Sequence, residues 1–251
     1  MPPPEDLPAF SRSAALPSAL ACALLLSWPA ASHAQAFIVG ARIDIPTGSG
    51  PEAIAIGDLN NDGNADLAVG TTNNVYTISI LLGNGAGGFA PKTDVATFGN
   101  PFAVAIGDVN GDGKSDLLFA SWGNFVAMRL GNGAGGFGPA SYFETPFGAR
   151  GIAMADLNGD SKTDLAVVCN YNGTGDVISV LLGDGTGGFG PYTSFATAND
   201  PYSVAAGDLN GDGRLDLVAG CSSMVSVLIG NGAGGFAPKS DFALGSGPYN
   251  V

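Results

Sequence analysis

Four nine-residue stretches of this sequence place oxygen donors at alternate positions: Asp58/Asn60/Asp62/Asp66, Asp108/Asn110/Asp112/Asp116, Asp156/Asn158/Asp160/Asp164 and Asp208/Asn210/Asp212/Asp216. Asp stands at positions 1, 5 and 9 of each stretch and Asn at position 3. On a tightly turning loop such side chains converge on one point, and a backbone carbonyl at position 7 (Asn64, Lys114, Lys162, Arg214) completes an all-oxygen shell. Hard oxygen ligands without His or Cys select Ca²⁺ over transition metals. The expectation is up to four Ca²⁺, one per loop.

Gly63, Gly113 and Gly213 stand at position 6, where a sharp turn needs an unhindered backbone; the third loop has Ser161 there and is expected to bind more weakly. These are not EF-hands. Position 12, the bidentate Glu of an EF-hand, is Val69, Phe119, Val167 or Ala219. The alternative is a set of Asx-rich turns that stabilise themselves without metal.

Charge bears on that choice. The N-terminus reads as a secretory leader over residues 1–36: Arg12, an apolar stretch from Ala14 to Ala31 centred on Leu24-Leu25-Leu26, then small residues that set cleavage near Ala34 or Ala36. A membrane anchor is the competing reading, but the stretch is short and holds Pro17 and Pro29. No later segment approaches the roughly 20 apolar residues of a membrane span. The mature chain is therefore expected outside the cytoplasm, as a secreted, surface or periplasmic protein. Cleavage removes Glu5, Asp6 and Arg12, leaving 20 acids and eight bases of the original 22 and nine. The loops hold twelve of those acids, so the rest of the mature chain is neutral. Three carboxylates in one short loop repel strongly without a cation. So acidic a chain is also a poor partner for nucleic acid.

The elements that position these loops recur with them. The first aspartates, at 58, 108, 156 and 208, are spaced by 50, 48 and 52 residues. A Gly-rich element keeps step: GNGAGGF from Gly83, Gly131 and Gly230, and GDGTGGF from Gly183. Each period reads as four short strands, in the first repeat Ala53–Asp58, Asp66–Gly70, Ile78–Leu82 and Phe89–Phe98. Apolar residues on both strand faces imply sheets stacked on sheets. Four-stranded units at this period are the signature of propeller blades. The expected fold is all-β, a β-propeller with blades at about 51–98, 101–148, 149–198 and 201–245. A lone fourth strand at 37–50 and the opening residues of another blade at 246–251 suggest a piece of a longer propeller of six to eight blades.

These repeats resemble FG-GAP/VCBS repeats, the blade unit of bacterial secreted propellers and of the integrin α-subunit headpiece. Phe89-Ala90-Pro91, Phe137-Gly138-Pro139, Phe189-Gly190-Pro191 and Phe236-Ala237-Pro238 are similar to that family's Phe-Gly…Pro element, and the likeness covers residues 37–251. The resemblance implies calcium in the hairpin joining strands one and two of each blade. It fixes no activity, because the family spans adhesion, ligand binding and modules attached to enzymes.

GNGAGG also satisfies the dinucleotide fingerprint, but Phe-x-Pro follows it and no helix N-terminus awaits a pyrophosphate. It reads as the turn between strands three and four. Asn172-Gly173-Thr174 is formally a glycosylation sequon. Cys169 and Cys221 occupy equivalent positions of neighbouring repeats and are expected as two separate buried thiols, because packed sheets lie about 10 Å apart.

Hairpins alternate between the two ends of a blade, so the Asp/Asn loops and the Gly-rich turns share one face. The opposite face is built from the loops where the repeats diverge, carrying Trp122, Phe125, Glu144, Phe147, Arg150, Asn170, Tyr171, Asp176, Asp200, Tyr202 and Tyr249. Variable aromatic and polar loops on a rigid scaffold make a binding face. Each aromatic taken singly also suits a cap on the blade core. Three functions compete: a secreted or surface binding module for a glycan or protein, a purely structural calcium-stabilised module, and a carbohydrate-active hydrolase or lyase. The third lacks histidine once His33 is cleaved and shows no nucleophile motif, although Glu144, Asp176 and Asp200 could supply a carboxylate pair.

Overall fold

A computed structural model describes residues 44–72, 76–170 and 175–245. The leader, residues 37–43, Tyr171, the Asn172 sequon and residues 246–251, Tyr249 among them, lie outside the described residues. The described residues from Ile45 onward belong to one unit and form sixteen strands. The first blade contains β1 (Pro51–Gly57), β2 (Asp66–Thr71), β3 (Thr77–Leu81) and β4 (Thr93–Ala96). The second contains β5 (Pro101–Gly107), β6 (Asp116–Ser121), β7 (Phe125–Gly131) and β8 (Phe137–Glu144). The third contains β9 (Ala149–Ala155), β10 (Asp164–Cys169), β11 (Val177–Leu181) and β12 (Thr193–Ala196). The fourth contains β13 (Ser203–Gly207), β14 (Asp216–Gly220), β15 (Met224–Leu228) and β16 (Ser240–Ala243). Each set is an antiparallel meander in chain order, and no helix occurs among the described residues.

The first strands of successive blades lie side by side, β1 on β5, β5 on β9 and β9 on β13. The cores lie between blades, and strand alternation explains them. Leu117 and Phe119 of β6 face Ala68, Ile78 and Ile80 of the first blade, whereas Leu118 and Ala120 face Leu165, Val167 and Cys169 of the third. Ala166 and Val168 then turn to Leu217, Ala219 and Cys221 of the fourth. Between its first aspartate and its last residue, a central strand such as β6 or β10 is thus apolar on both faces, as a sheet covered on both sides requires. Cys169 and Cys221 are buried free thiols, each turned toward its own preceding blade, which keeps a whole sheet between them. Beyond the fourth blade Leu209 is 55% exposed, while its equivalents Leu59, Val109 and Leu157 are 1–3% exposed under a following blade.

Two sequence readings need correction. The fourth strand of the first blade begins at Thr93, not Phe89. Phe89 makes only an isolated bridge to Gly83, and the segment through Pro91, which has no N–H to donate, stays out of the ladder. In the second blade β8 runs unbroken from Phe137, where the Arg129 Nη1 donates to the Gly138 carbonyl at 2.8 Å. Of the lone strand expected over 37–50, residues 37–43 lie outside the described residues, and residues 44–50 form no strand. Pro46 offers no N–H, and Gly50, at φ 65°, turns the backbone out of the extended region.

Candidate functional site

The Asp/Asn loops close the hairpins between first and second strands, joined by the pairs Gly57↔Asp66, Gly107↔Asp116, Ala155↔Asp164 and Gly207↔Asp216. Within each, position 1 organises the turn. Asp108 Oδ1 accepts the N–H groups of Asn110, Gly111 and Asp112 at 3.2, 2.7 and 3.3 Å, and its Oδ2 accepts Gly113 N–H at 2.8 Å. Asp58, Asp156 and Asp208 do the same work, their Oδ2 atoms accepting the position 6 N–H groups of Gly63, Ser161 and Gly213 at 2.8, 2.8 and 2.9 Å.

Position 3 turns along the loop. The amide oxygens of Asn60, Asn110, Asn158 and Asn210 accept the N–H groups of Asp62, Asp112, Asp160 and Asp212 at 3.1, 3.1, 2.9 and 2.9 Å. Asn60 and Asn210 also donate through Nδ2 to the Oδ2 of Asp62 and Asp212, at 3.0 and 3.1 Å. Position 5 in turn accepts the N–H of position 7, as between Asp112 and Lys114.

The loop needs a left-handed backbone at both positions 4 and 6: Asn61 and Gly63 (φ 58° and 81°), Gly111 and Gly113 (73° and 77°), Gly159 and Ser161 (78° and 65°), Gly211 and Gly213 (76° and 79°). Position 4 lies outside the donor pattern read from sequence, although Asn or Gly fills it every time, the two residue types that best tolerate this region.

Position 9 points elsewhere. Asp116 is fully buried; its Oδ2 accepts Val109 N–H at 3.0 Å and its Oδ1 accepts Gly131 N–H at 2.8 Å. Asp66, Asp164 and Asp216 repeat this clasp on Gly83, Gly183 and Gly230. The carboxylate therefore pins the Asp/Asn loop to the Gly-rich turn of the same blade, and the two share a face.

The donors match a hard divalent cation in kind: three carboxylates and an amide oxygen per loop, with no sulfur or imidazole. Their arrangement differs from the converging shell expected of the sequence. Among the described residues, no three acidic, thiol or imidazole side chains gather around one point as a metal requires. The carboxylates turn instead to backbone N–H groups, and so do the amide oxygens of Asn60, Asn110, Asn158 and Asn210. The physical reason is that each loop satisfies its own backbone donors, as an Asx turn does, while each oxygen keeps a further lone pair.

Position 7 adds a cation in three loops: Lys114 Nζ lies 3.0 Å from Asp112 Oδ2, Lys162 Nζ 3.4 Å from Asp160 Oδ2, and Arg214 Nη2 2.5 Å from Asp212 Oδ2. The first loop has Asn64 there. Charge is nevertheless incompletely balanced. Burial pushes the Asp116 and Asp164 carboxyls above the usual range despite their N–H bonds, and their own loops' aspartates add to the rise. The loops' net negative charge and all-oxygen donors fit a cation in charge and donor type.

The opposite face carries the second constellation. Phe102, Arg150 and Tyr202 each stand six residues before a first loop aspartate, so they occupy one register position on three adjacent first strands or their approach. Arg150, on β9, therefore lies between two aromatics. Its Cζ is 5.4 Å from the Phe102 ring, 5.1 Å from that of Tyr202 and 4.8 Å from that of Trp122, which enters from the β6–β7 loop. Trp122 meets Phe102 edge to face at 6.0 Å, and Phe147, from the β8–β9 loop, at 5.8 Å and 87°. Trp122 and Phe147 are 39% and 41% exposed.

Of the residues expected on this face, the structure thus gathers Trp122, Phe147, Arg150 and Tyr202. Asp176 and Asp200 form a separate polar node: Asp200 N–H donates to Asp176 Oδ2 at 2.8 Å, and Asn170 Nδ2 donates to Asp200 Oδ1 at 3.4 Å. Glu144 is exposed at the end of β8. Phe125 does not belong to the face. It starts β7 half-buried, packs 5.2 Å from Tyr142 and joins the core between the first two blades, because alternation along β7 turns it inward with Ala127. Phe102 escapes the sequence reading; aligning the repeats on their first aspartate exposes it, in the column that holds Arg150 and Tyr202.

Stacked four-stranded blades with a recurrent Asp/Asn hairpin define a β-propeller repeat protein. The profile described as FG-GAP-like repeat matches residues 58–119, 108–167, 156–219 and 208–251, and the chain belongs to that family. Among solved structures, it is similar to an Agrocybe aegerita lectin whose structure concerns specific recognition of non-reducing terminal N-acetylglucosamine: 21% identity over 75% of this chain and 51% of the lectin, TM-score 0.56. It is also similar to BBS1N, solved in complex with ARL6DN: 14% identity over 80% of this chain and 59% of that one, TM-score 0.56. The chain spans about half to three-fifths of these structures, and at such identities the likeness is one of fold. No curated protein matches.

Proposed function

We propose that this chain is a secreted binding module that takes a glycan or protein ligand on the face opposite its Asp/Asn loops, with calcium bracing each blade. The observation that carries the reading is the convergence of Trp122, Phe147, Arg150 and Tyr202 into one partly exposed aromatic platform. Aromatic rings packed against one another and against a strand-borne guanidinium supply contact area at little conformational cost. The likeness of fold to a lectin supports binding as the role. An arginine among rings offers contacts for recognition, whereas turnover calls for a paired acid and base.

Calcium would be held by positions 1, 3, 5 and 9 with the position 7 carbonyl, neutralising the carboxylates that otherwise repel one another. Its role is to stiffen the hairpin, remote from the ligand. A glycan array, followed by titration of any hit against Trp122→Ala and Asp112→Ala chains, tests the division of labour. Loss of binding in Trp122→Ala, with Asp112→Ala changing only thermal stability, supports it; an unaltered titration for Trp122→Ala contradicts it.

A further inference from the structure

We propose that Arg150 is the ligand-reading group of this face and that the ligand is an acidic saccharide, a pyranose bearing a carboxylate; the inference rests on the binding-face reading above. The other basic side chains direct their donors elsewhere. Among the described residues, Lys92, Lys114, Lys162, Arg214 and Lys239 each pair with an aspartate two positions away. Arg129 donates to the Gly138 and Ala96 carbonyls. Arg150 meets ring faces instead. Its Nε is buried without a hydrogen-bond partner, and no described carboxylate lies within 4.0 Å of its guanidinium.

A ring face attracts the charge of a guanidinium but does not saturate its five directed N–H donors. Three rings hold the group in place, so little rotamer freedom remains to be lost when a ligand arrives. A planar fork of this kind matches a carboxylate with two parallel N–H···O bonds. Beside it, Trp122 and Phe147 expose rings set nearly perpendicular to each other, an apolar corner for the C–H face of a sugar. A uronic acid joins both features, the carboxylate and the apolar ring face, within one residue. The protein's net charge of −13 repels polyanions in general, so capture of one requires a local cation of this kind.

The test uses the full chain at constant calcium and uronate trimers (galacturonate, glucuronate, mannuronate), each beside its neutral methyl ester. The expected result is that at least one acid binds tenfold or more tightly than its ester, and that Arg150→Gln abolishes this preference while the thermal melt is kept. Should Arg150→Gln fail to fold, Arg150→Lys, which keeps charge but loses the fork, is expected to weaken the acid at least fivefold and leave the ester unchanged. Equal binding of acid and ester, or an acid preference that survives both substitutions, overturns the inference and leaves the binding face standing. Binding of neutral glycans alone on the array also overturns it, whereas an array silent to every glycan overturns the saccharide reading of both.

Discussion

Asp116 accepts the Gly131 N–H at 2.8 Å between the adjacent strands β6 and β7, and the same bond recurs between Asp66 and Gly83, Asp164 and Gly183, and Asp216 and Gly230. Position 9 of each loop is therefore a clasp between two turns before it is anything else. The second oxygen holds the loop's own position 2, through Leu59, Val109, Leu157 and Leu209. Two backbone donors, one of them deep under the following blade in three repeats, depend on one carboxylate.

Asp116→Ala is accordingly expected to cost about 2–3 kcal/mol, since it strands one buried and one half-buried N–H group at once. The loss should persist in a chelator, because neither bond needs a metal. Asp112→Ala, on the exposed side of the same loop, should cost clearly less. Chemical denaturation of the two variants, with and without EDTA, checks the ranking.

Ser161 holds φ 65° where the other three loops have glycine. Left-handed backbone costs a non-glycine residue about 1–2 kcal/mol, partly offset by the greater unfolded-state freedom of glycine. Ser161→Gly should therefore stabilise the chain by roughly 0.5–1 kcal/mol and strengthen any calcium response of the third loop. A lower melting temperature would show that the serine side chain has a stabilising role of its own.

The cation at position 7 should set calcium affinity. Among the described residues Asp62, with Asn64 at position 7, has no ion pair, whereas Lys114 sits 3.0 Å from Asp112 and must be displaced or repel the metal. Lys114→Asn removes one positive charge beside the loop carboxylates and is expected to tighten calcium binding several-fold. Thermal melts across a calcium titration read the shift; no calcium dependence in either chain would mean the loops are self-sufficient turns.

Two serine–aspartate–lysine sets away from the loops contribute to acid stability beside the exposed loop aspartates, whose carboxyls are lowered as well. Lys92 holds the Asp94 carboxyl below its usual 3.8, with Ser79 Oγ donating to it at 2.8 Å. Burial works against Asp241, but Lys239 and Ser226 outweigh it and lower that carboxyl too. A depressed carboxyl contributes stability that is complete above the unfolded value and is lost as pH falls through the folded one. Stability should thus decline below about pH 3.8, and Asp94→Asn with Asp241→Asn should lessen that decline, leaving the part that comes from the loop aspartates.

Much of this was legible in the residues themselves. The repeat period implies sixteen strands, their order and the shared face of the two turn types, because blade geometry is local and recurs. Strand ends are less legible: Phe89 has the residue type of a strand but only a single bridge to make. The donor pattern singles out residues that order each loop yet not their partners, since Asn60, Asn158 and Asn210 suit a backbone N–H as well as a cation. The reach of Asp116 to Gly131 is hidden because the two lie fifteen positions apart and meet only once the blade is folded. Phe102 is hidden for a different reason. It sits in a strand whose neighbours read as core, and only the side-by-side row of first strands brings it against Arg150.

Docking of ligand against Trp122 can be read from the tryptophan itself. In a Trp28→Phe chain, Trp122 is the only remaining tryptophan, so its emission reports on this face directly. Titrating such a chain with the tightest glycan or protein ligand should give a saturable change in that emission, with a midpoint matching calorimetry. A ligand that binds by calorimetry while the Trp122 emission stays unchanged would place recognition elsewhere and contradict the account.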